Sequence, residues 1–362
     1  MATDPQRGIA RRLGWAGHPL LGPVLGIIGV GLGVAALVLA IHADDQNSSS
    51  TSGAATGACD VPQIAENVLP SVVTISVSGT GGSGTGSGEV IDDHGNILTN
   101  NHVISAAASG GTIGVIFSDG HTQSATLVGR DPLTDLAVIR VSDTKGLTPI
   151  TFGPSEQVRV GESVVALGAP LGLSSTVTAG VVSARDRSVD VPSDNGSTAL
   201  LVAAIQTDAA INPGNSGGAL VDCTGKLIGI PTAGATVPNA SGGSSAGSIG
   251  LGFAIPSDFG RSIADSLIDT GKASHGFFGI NVTTVTNGNA IGLYVVAVTP
   301  GGPSAQAGLR EGDVIVSING EAATSAEQLL TLTLTKRAGD KVTMTYERDG
   351  AHHDATITLG ST

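Results

Sequence analysis

A serine set among glycines is the first sign of chemistry in this chain. Residues 211–220 read INPGNSGGAL, with Ser216 between Gly214-Asn215 and Gly217-Gly218. Glycine lets a backbone turn sharply, take positive φ and approach a ligand closely. A nucleophilic serine needs that setting. Its Oγ must be exposed, and backbone N–H groups must point where a tetrahedral oxyanion would form. The plain alternative is a Gly-Asn-Ser surface turn. The choice depends on whether a base and an orienting acid lie elsewhere in the chain.

Both do. His102 lies in LTNNHVI, where an apolar run breaks at Asn-Asn-His and then resumes. Asp135 lies in TDLAVIR, at the head of an apolar, β-branched run. A serine hydroxyl becomes nucleophilic at neutral pH when a neutral imidazole takes its proton and a carboxylate fixes the imidazole tautomer. The chain order His, Asp, Ser is one of three unrelated orders that build this geometry. Of the eight histidines, His18 and His42 flank an apolar stretch, and His352 and His353 lie near the C-terminus. His94, His121 and His275 sit beside glycine or aspartate in expected turns. Asp131, in Arg-Asp-Pro, rivals Asp135, but Asp135 directly precedes the strand, as a buried orienting acid should. No Cys/His cluster has metal-ligand spacing, so neither metal nor cofactor is expected.

These residues must be carried by strands. Alternating Val, Ile, Leu and Ala runs separated by turn residues fill the middle of the chain. Aromatics are 2% of the 362 residues and glycines number 54, so aliphatic packing must supply the core. The formal net charge is −13, and Arg7, Arg11 and Arg12 stand against Asp4 in the first 43 residues. The body is therefore acidic, which argues against nucleic acid as partner.

Leu20–Ile41 holds no charged residue over 22 positions. About 20 apolar residues span a bilayer core. With the arginines before it and Asp44 and Asp45 after it, the basic side stays cytoplasmic. The segment reads as an uncleaved anchor with the rest of the chain outside. A cleaved signal peptide is the alternative, though its apolar region runs only about 7–15 residues. Residues 42–60 read as a tether of polar and small residues. Cys59 and Cys223 both fall outside, where disulfides persist. A bridge between them is expected; the alternative is two separate thiols.

The chain resembles the HtrA/DegP-type serine proteases of the trypsin-like superfamily. The resemblance rests on SGTGSGEVID, ILTNNHVI, DPLTDLAVIR, LGAPLGL, TAGVVSA, IQTDAAINPGNSGGALV and GLGFAIP, in order over roughly residues 65 to 265. It implies a mainly β fold, with a chymotrypsin-like double β-barrel protease domain, here residues 61–268. His102 would be general base, Asp135 its orienter and Ser216 nucleophile, with the N–H groups of Gly214 and Ser216 as oxyanion hole. Where relatives that cut after basic residues place an acid, this chain has Ala210. The pocket is then small and apolar, walled by Ile211, Ile249 and Leu251, and favours Val, Ala or Ile. Three stretches are expected as loops: Gly79–Gly88 as mobile, and Arg185–Thr198 and Gly234–Gly250 as activation or specificity loops.

A helix is expected over DFGRSIADSLIDTGK, with Ser257 as N-cap and Gly271 as stop. Residues 269–362 resemble a PDZ domain, on GFFGI, PGGPSAQAGLREGDVIVSINGE and RAGDKVTMTYERDGAHHDATITLG. Such domains add a chain terminus as an extra strand. Phe277, Phe278 and Gly279 would hold its carboxylate, and Ile280 and Val282 would face the groove. Ser325–Lys336 would be the opposite wall, with Leu329 and Leu332, or Leu330 and Leu334, inward. The whole reads as residues 1–19 cytoplasmic, 20–41 transmembrane and the rest extracytoplasmic. The family implies a homotrimer or higher multiple, acting on unfolded proteins or peptides of the bacterial envelope. A chaperone or scaffold with little turnover, and a regulatory protease dedicated to one signalling partner, are the two other readings.

Overall fold

The computed structural model describes residues 59–169, 176–194, 198–234, 248–287 and 290–361. The cytoplasmic segment, the anchor at 20–41, the tether through residue 58 and most of Gly234–Gly250 lie outside the described residues. Among the described residues, no helix is long and apolar enough to cross a membrane.

Helix α1 (Val61–Val68) starts on Asp60, whose Oδ1 accepts the Gln63 N–H at 3.1 Å. A side-chain acceptor at this position satisfies an otherwise orphaned helix N–H. The helix buries Ile64 and Val68 against Val165, Leu167, Val221 and Leu227. Cys59, just before it, is disulfide-bonded to Cys223.

Strands β1 (Val72–Gly79), β2 (Gly82–Val90) and β3 (Asn96–Asn100) lead into the short helix α2 (Asn101–Ile104). Strands β4 (Thr112–Ile116), β5 (Thr122–Asp131) and β6 (Leu136–Val141) follow. The six close into a barrel in the order β1-β2-β3-β6-β5-β4. Alternation turns Val73, Ile75 and Val77 into its core with Ile97, Val115 and Ile139, while Ser76 and Ser78 face out. Closure also leaves no strand edge unpaired.

A second barrel forms from β7 (Ser163–Gly168), β8 (Thr176–Pro192), β9 (Thr198–Thr207), β10 (Ala219–Asp222), β11 (Leu227–Gly234) and β12 (Gly252–Pro256). Its order is β10-β11-β12-β9-β8-β7. The barrels meet along a seam where Leu98, Leu136 and Val138 pack with Ile230 and Ile255. Helix α3 (Ser257–Thr270) lies on that seam, burying Ile263 and Leu267. It stops at Gly271, which takes φ 75° and donates its N–H to Leu267.

Three expectations need correction. Gly79–Gly88 is not a mobile loop, because β2 pairs with β1 from Gly79↔Gly82 to Val72↔Glu89. Its glycines serve close packing. A Cβ on Gly88 would stand 2.7 Å from Ile97 and 2.8 Å from Ile75, and one on Gly86 would stand 2.6 Å from Val103. Residues 185–192 likewise continue β8, paired to β9 through a series of register shifts. Charge there marks an exposed ribbon rather than a loop, while Val189 and Val191 pack toward the seam. Ser257 is the first helical residue and not the cap, since Pro256 holds that position and the Ser257 hydroxyl donates to Gly153 O at 2.9 Å.

Beyond α3, β13 (Gly276–Phe277) precedes β14 (Ile280–Asn287), β15 (Ala290–Val298), α4 (Pro303–Gln306), β16 (Val314–Ile318) and β17 (Glu321–Ala322). Helix α5 (Ala326–Thr335), β18 (Lys341–Arg348), β19 (Ala351–Thr358) and β20 (Gly360–Ser361) complete the chain. The sheet runs β14-β15-β16-β18-β19, which leaves β14 at an edge. Helix α5 opens on a capping box between Ser325 and Gln328. Leu329 and Leu332 pack on this domain's core. Leu334 instead reaches the protease side, against Leu200, Val202 and Phe259, and Leu330 is exposed.

Candidate active site

Two interlocked turns place the histidine and the aspartate. β3 ends at Asn100, and α2 carries His102 in its single turn. Asp135 stands on the tight connection from β5 to β6 with φ 56°. Such a left-handed conformation is strained for a non-glycine residue, though Asp tolerates it better than most. The Asn-Asn pair holds it there. Asn100 Nδ2 donates to Asp135 O at 2.9 Å, and the Asn101 N–H donates to the same oxygen at 3.0 Å. In return, Asp135 Oδ1 accepts the His102 N–H at 2.9 Å, and Oδ2 lies 2.8 Å from His102 Nδ1. Asp135 is fully buried, whereas the His102 ring is 35% exposed. A carboxylate accepting at Nδ1 keeps the proton there and leaves the Nε2 lone pair free to act as base.

Ser216 comes from the other barrel, on the turn before β10. Its Oγ donates to Thr232 O at 3.4 Å, and among the described residues no hydrogen bond joins it to His102. The Thr232 hydroxyl donates to Asp135 Oδ2. One residue of β11 therefore touches both the serine and the acid. Ser87 of β2 locks the same turn from the first barrel. Its Oγ donates to Gly214 O at 2.6 Å and accepts the Ala169 N–H at 2.8 Å, and its N–H donates to Ser216 O at 2.8 Å. Gly217, at φ 78°, admits no side chain, since a Cβ would lie 2.3 Å from Ser87 O. Gly214 takes φ 103°. Among the described residues, the N–H groups of Gly214 and Ser216 donate to no protein acceptor.

Beside His102 lies a polar cavity of 420 Å³, lined among others by Gly81, Ser105, Arg130 and Asp194. Arg130 bonds Asn101 Oδ1 at 3.1 Å and pairs with Asp194. Where a small apolar pocket is expected, Ala210 is half-buried and its carbonyl accepts Asn215 Nδ2 at 3.3 Å. Ile211 belongs to the barrel core with Val164, Ile205 and Ala254, while Ile249 and Leu251 are exposed. At the other domain, the Phe278 side chain is buried in the core and Gly279 takes φ 71°, so what Phe278 would offer a carboxylate is its backbone N–H. Phe277 is half-buried, and Ile280 and Val282 pack on that core from the edge strand.

Sequence reasoning did not single out Thr232, Ser87 or His275. The first two are hydroxyl residues inside strands, and nothing local marks them. His275, expected in a turn, is buried with Nε2 at 2.9 Å from Asp131 Oδ2. Glu89, on β2 opposite Val72 and Leu98, is fully buried, and neither carboxyl oxygen has a partner among the described residues. Burial pushes its pKa well above the usual carboxylate range, and its own backbone N–H offsets only part of that rise.

Residues 86–230 match the trypsin-like peptidase domain family, and residues 276–359 match the PDZ domain family. The serine protease PepD of Mycobacterium tuberculosis is 41% identical over 375 residues, covering 98% of this chain and 80% of that protein. The periplasmic pH-dependent serine endoprotease DegQ of Escherichia coli is 36% identical over 358 residues, covering 89% of this chain and 75% of its own length. Among solved structures, the HtrA-type protease AlgW with a tripeptide matches at a TM-score of 0.66 and 36% identity, over 83% of this chain and 97% of that one. With an acid-oriented histidine, a glycine-set serine across the barrel seam and these relatives, the chain belongs to the HtrA-type serine proteases, a trypsin-like peptidase domain joined to a PDZ domain.

Proposed function

We propose that this protease degrades or processes unfolded proteins outside the cytoplasmic membrane. Ser216 acts as nucleophile, His102 as general base and Asp135 as its orienter. The observation that carries the reading is the buried Asp135 carboxylate 2.8 Å from His102 Nδ1, with Ser216 of the second barrel linked to that carboxylate through Thr232. Ser216 Oγ attacks the scissile carbonyl while His102 Nε2 takes its proton, and the Gly214 and Ser216 N–H groups receive the oxyanion. His102 then gives the proton to the leaving amine, which leaves an ester on Ser216. Water attacks the ester with His102 again as base.

The free edge of β14 supports capture of a polypeptide C-terminus beside α5, with Phe277–Gly279 at its carboxylate. Ala210 in place of an acid favours cleavage after small apolar residues. The acid-poor, apolar stretch at residues 20–41 supports an anchor that holds the protease outside, and the relatives named periplasmic favour the same side. A trimer through the protease domains follows by analogy with the family.

The test is β-casein hydrolysis by the full chain in detergent, beside Ser216→Ala, with cleavage sites read by mass spectrometry. Digestion by the parent alone, after Val, Ala or Ile, is the expected result. Equal digestion by Ser216→Ala would remove the assignment of the nucleophile. Turnover that rises only with one particular C-terminal peptide would favour a dedicated regulatory protease over general degradation.

A further inference from the structure

The Asp135 turn is held from outside the protease domain as well as from within it. Asp131 ends β5 and Asp135 lies four residues on, at the end of the connection to β6, and both are buried. Asp135 serves His102. Asp131 faces elsewhere. Its Oδ2 accepts the Thr134 hydroxyl at 2.5 Å, and its Oδ1 accepts the Leu133 N–H at 3.3 Å. The same Oδ2 accepts Nε2–H of His275, one residue before β13 and therefore at the entrance of the PDZ domain. His275 is 4% exposed on its side chain, and its buried Nδ1 has no partner among the described residues.

The linker between the domains runs against this connection. A Cβ on Gly129, in β5, would lie 2.7 Å from Gly271 O. The rest of the turn is pinned by protease residues. Ser193 Oγ donates to Pro132 O at 2.9 Å, and the Leu200 N–H donates to Leu133 O at 3.2 Å. Among the described residues, the one side chain from beyond α3 that bonds the Asp131 carboxylate is His275.

We propose that His275 is a positioning residue for proteolysis, acting through Asp131 and Thr134 to hold Asp135 in its left-handed conformation against His102. The proposal rests on Asp135 being the orienting acid. Its physical reason is the strain at φ 56°. A non-glycine residue stays in that region only where its surroundings over-determine it. Asn100 and Asn101 hold the Asp135 carbonyl from one side. Thr134, the preceding residue, is held from the other side by Asp131, and Asp131 by His275. Removing His275 leaves a buried carboxylate one donor short and lets the turn relax. A small misplacement of a catalytic group costs rate more than substrate affinity.

The experiment compares His275→Leu, His275→Gln, Asp131→Asn and the His275→Leu/Asp131→Asn double variant of the full chain. It measures kcat and KM on a short internally quenched peptide and Tm by calorimetry. Glutamine can present an N–H near the position of imidazole Nε2; leucine cannot. The expected result is a kcat about 10-fold to about 100-fold lower in His275→Leu with KM unchanged. Activity should return in His275→Gln, and the double variant should be no slower than the slower single one. Unchanged kcat in a folded His275→Leu overturns the proposal. So does a loss that glutamine fails to restore and that multiplies with Asp131→Asn, because it would be a packing effect. If His275→Leu does not fold, Thr134→Val decides. It breaks the link without touching the domain junction, and it must lower kcat over the same range or the proposal falls. Asp135→Asn runs alongside as the separate check on the triad. If it stays fully active, the orienting role of Asp135 fails, whatever the His275 variants show.

Discussion

The Cys59–Cys223 bridge allows a stability prediction with a worked magnitude. It closes a loop across 164 residues of sequence. In the chain-entropy model, a loop of that size restricts the unfolded chain by about 5 kcal/mol at 25 °C, and natural bridges deliver about 2–4 kcal/mol. The bridge also does a local job. Helix α1 has eight residues, fewer than the ~12–15 at which a helix becomes even marginal alone. Burial of Ile64 and Val68 contributes roughly 1.5–3 kcal/mol each. Tying Cys59 beside Cys223 adds to that hold on the helix. In the Cys59→Ser/Cys223→Ser double variant, we expect a loss of about 3 kcal/mol. For a domain of this size that is a fall in Tm of roughly 6–12 °C. Amides of Val61–Leu69 should exchange with deuterium well before those of the barrels. Calorimetry with hydrogen exchange resolved by mass spectrometry measures both. A Tm within 2 °C of the parent (roughly the effect of 1 kcal/mol or less), with α1 as protected as before, would refute this account of how the N-terminus is held.

Two further outcomes can be measured with the same material. Glu89 has a folded pKa raised by burial above its unfolded value, so the stability it leaves the fold is complete below the unfolded pKa and declines as pH rises toward the folded one, by at most ~1.4 kcal/mol per pH unit. Glu89→Gln removes that dependence, so its Tm should gain on the parent as pH rises above the ordinary carboxylate range and until the folded pKa is passed; parallel Tm–pH curves would count against it. Ser87→Ala strands the buried Ala169 N–H, which costs about 1–3 kcal/mol when unpaired, leaves the partly buried Gly214 O without its donor, and releases the turn before Ser216. Both Tm and kcat for a peptide ester should fall, and a drop in Tm with kcat intact would show that Ser87 supports the fold without setting the Ser216 turn.

The parts of this molecule legible in its sequence are those whose chemistry is local. His102 follows two asparagines because those asparagines hold Asp135, and Ser216 sits among glycines because Ser87 and Thr99 leave no room for a side chain at Gly217. The asparagines adjoin His102 and the glycines adjoin Ser216, so a short string carries the mark even though the atoms it answers to come from elsewhere in the chain. Thr232 acts on Asp135 across 97 residues, and in a run of Ile, Pro and Thr it reads only as a strand former. The Gly79–Gly88 stretch misleads for a related reason. Glycine permits both looseness and close approach, and composition does not distinguish them. Only the side chains of Ile75, Ile97 and Val103, brought in from other strands, show that close approach is the purpose here.

The two aspartates of DPLTD show where local reading stops. At helical spacing, carboxylates four apart would share a face, and the choice between Asp131 and Asp135 would be a choice between equivalent neighbours. Here the segment is a strand-to-strand turn with a left-handed residue at its end, so the two point apart. Asp135 turns into the seam, to His102 and Thr232. Asp131 turns to Thr134 and to His275. The residue set aside as the weaker candidate for the acid therefore has a task of its own, and its partner lies 144 residues away. The site draws on three regions of the chain: one barrel supplies His102 and Asp135, the proposed base and its orienter, the other supplies Ser216, the proposed nucleophile, and the entrance of the PDZ domain supplies a donor to the turn that carries Asp135. Because one strained turn joins the first and third contributions, the proposed route from the domain junction to His102 runs through three hydrogen-bond steps, His275 to Asp131, Asp131 to Thr134 and Asp135 to His102, and one backbone conformation.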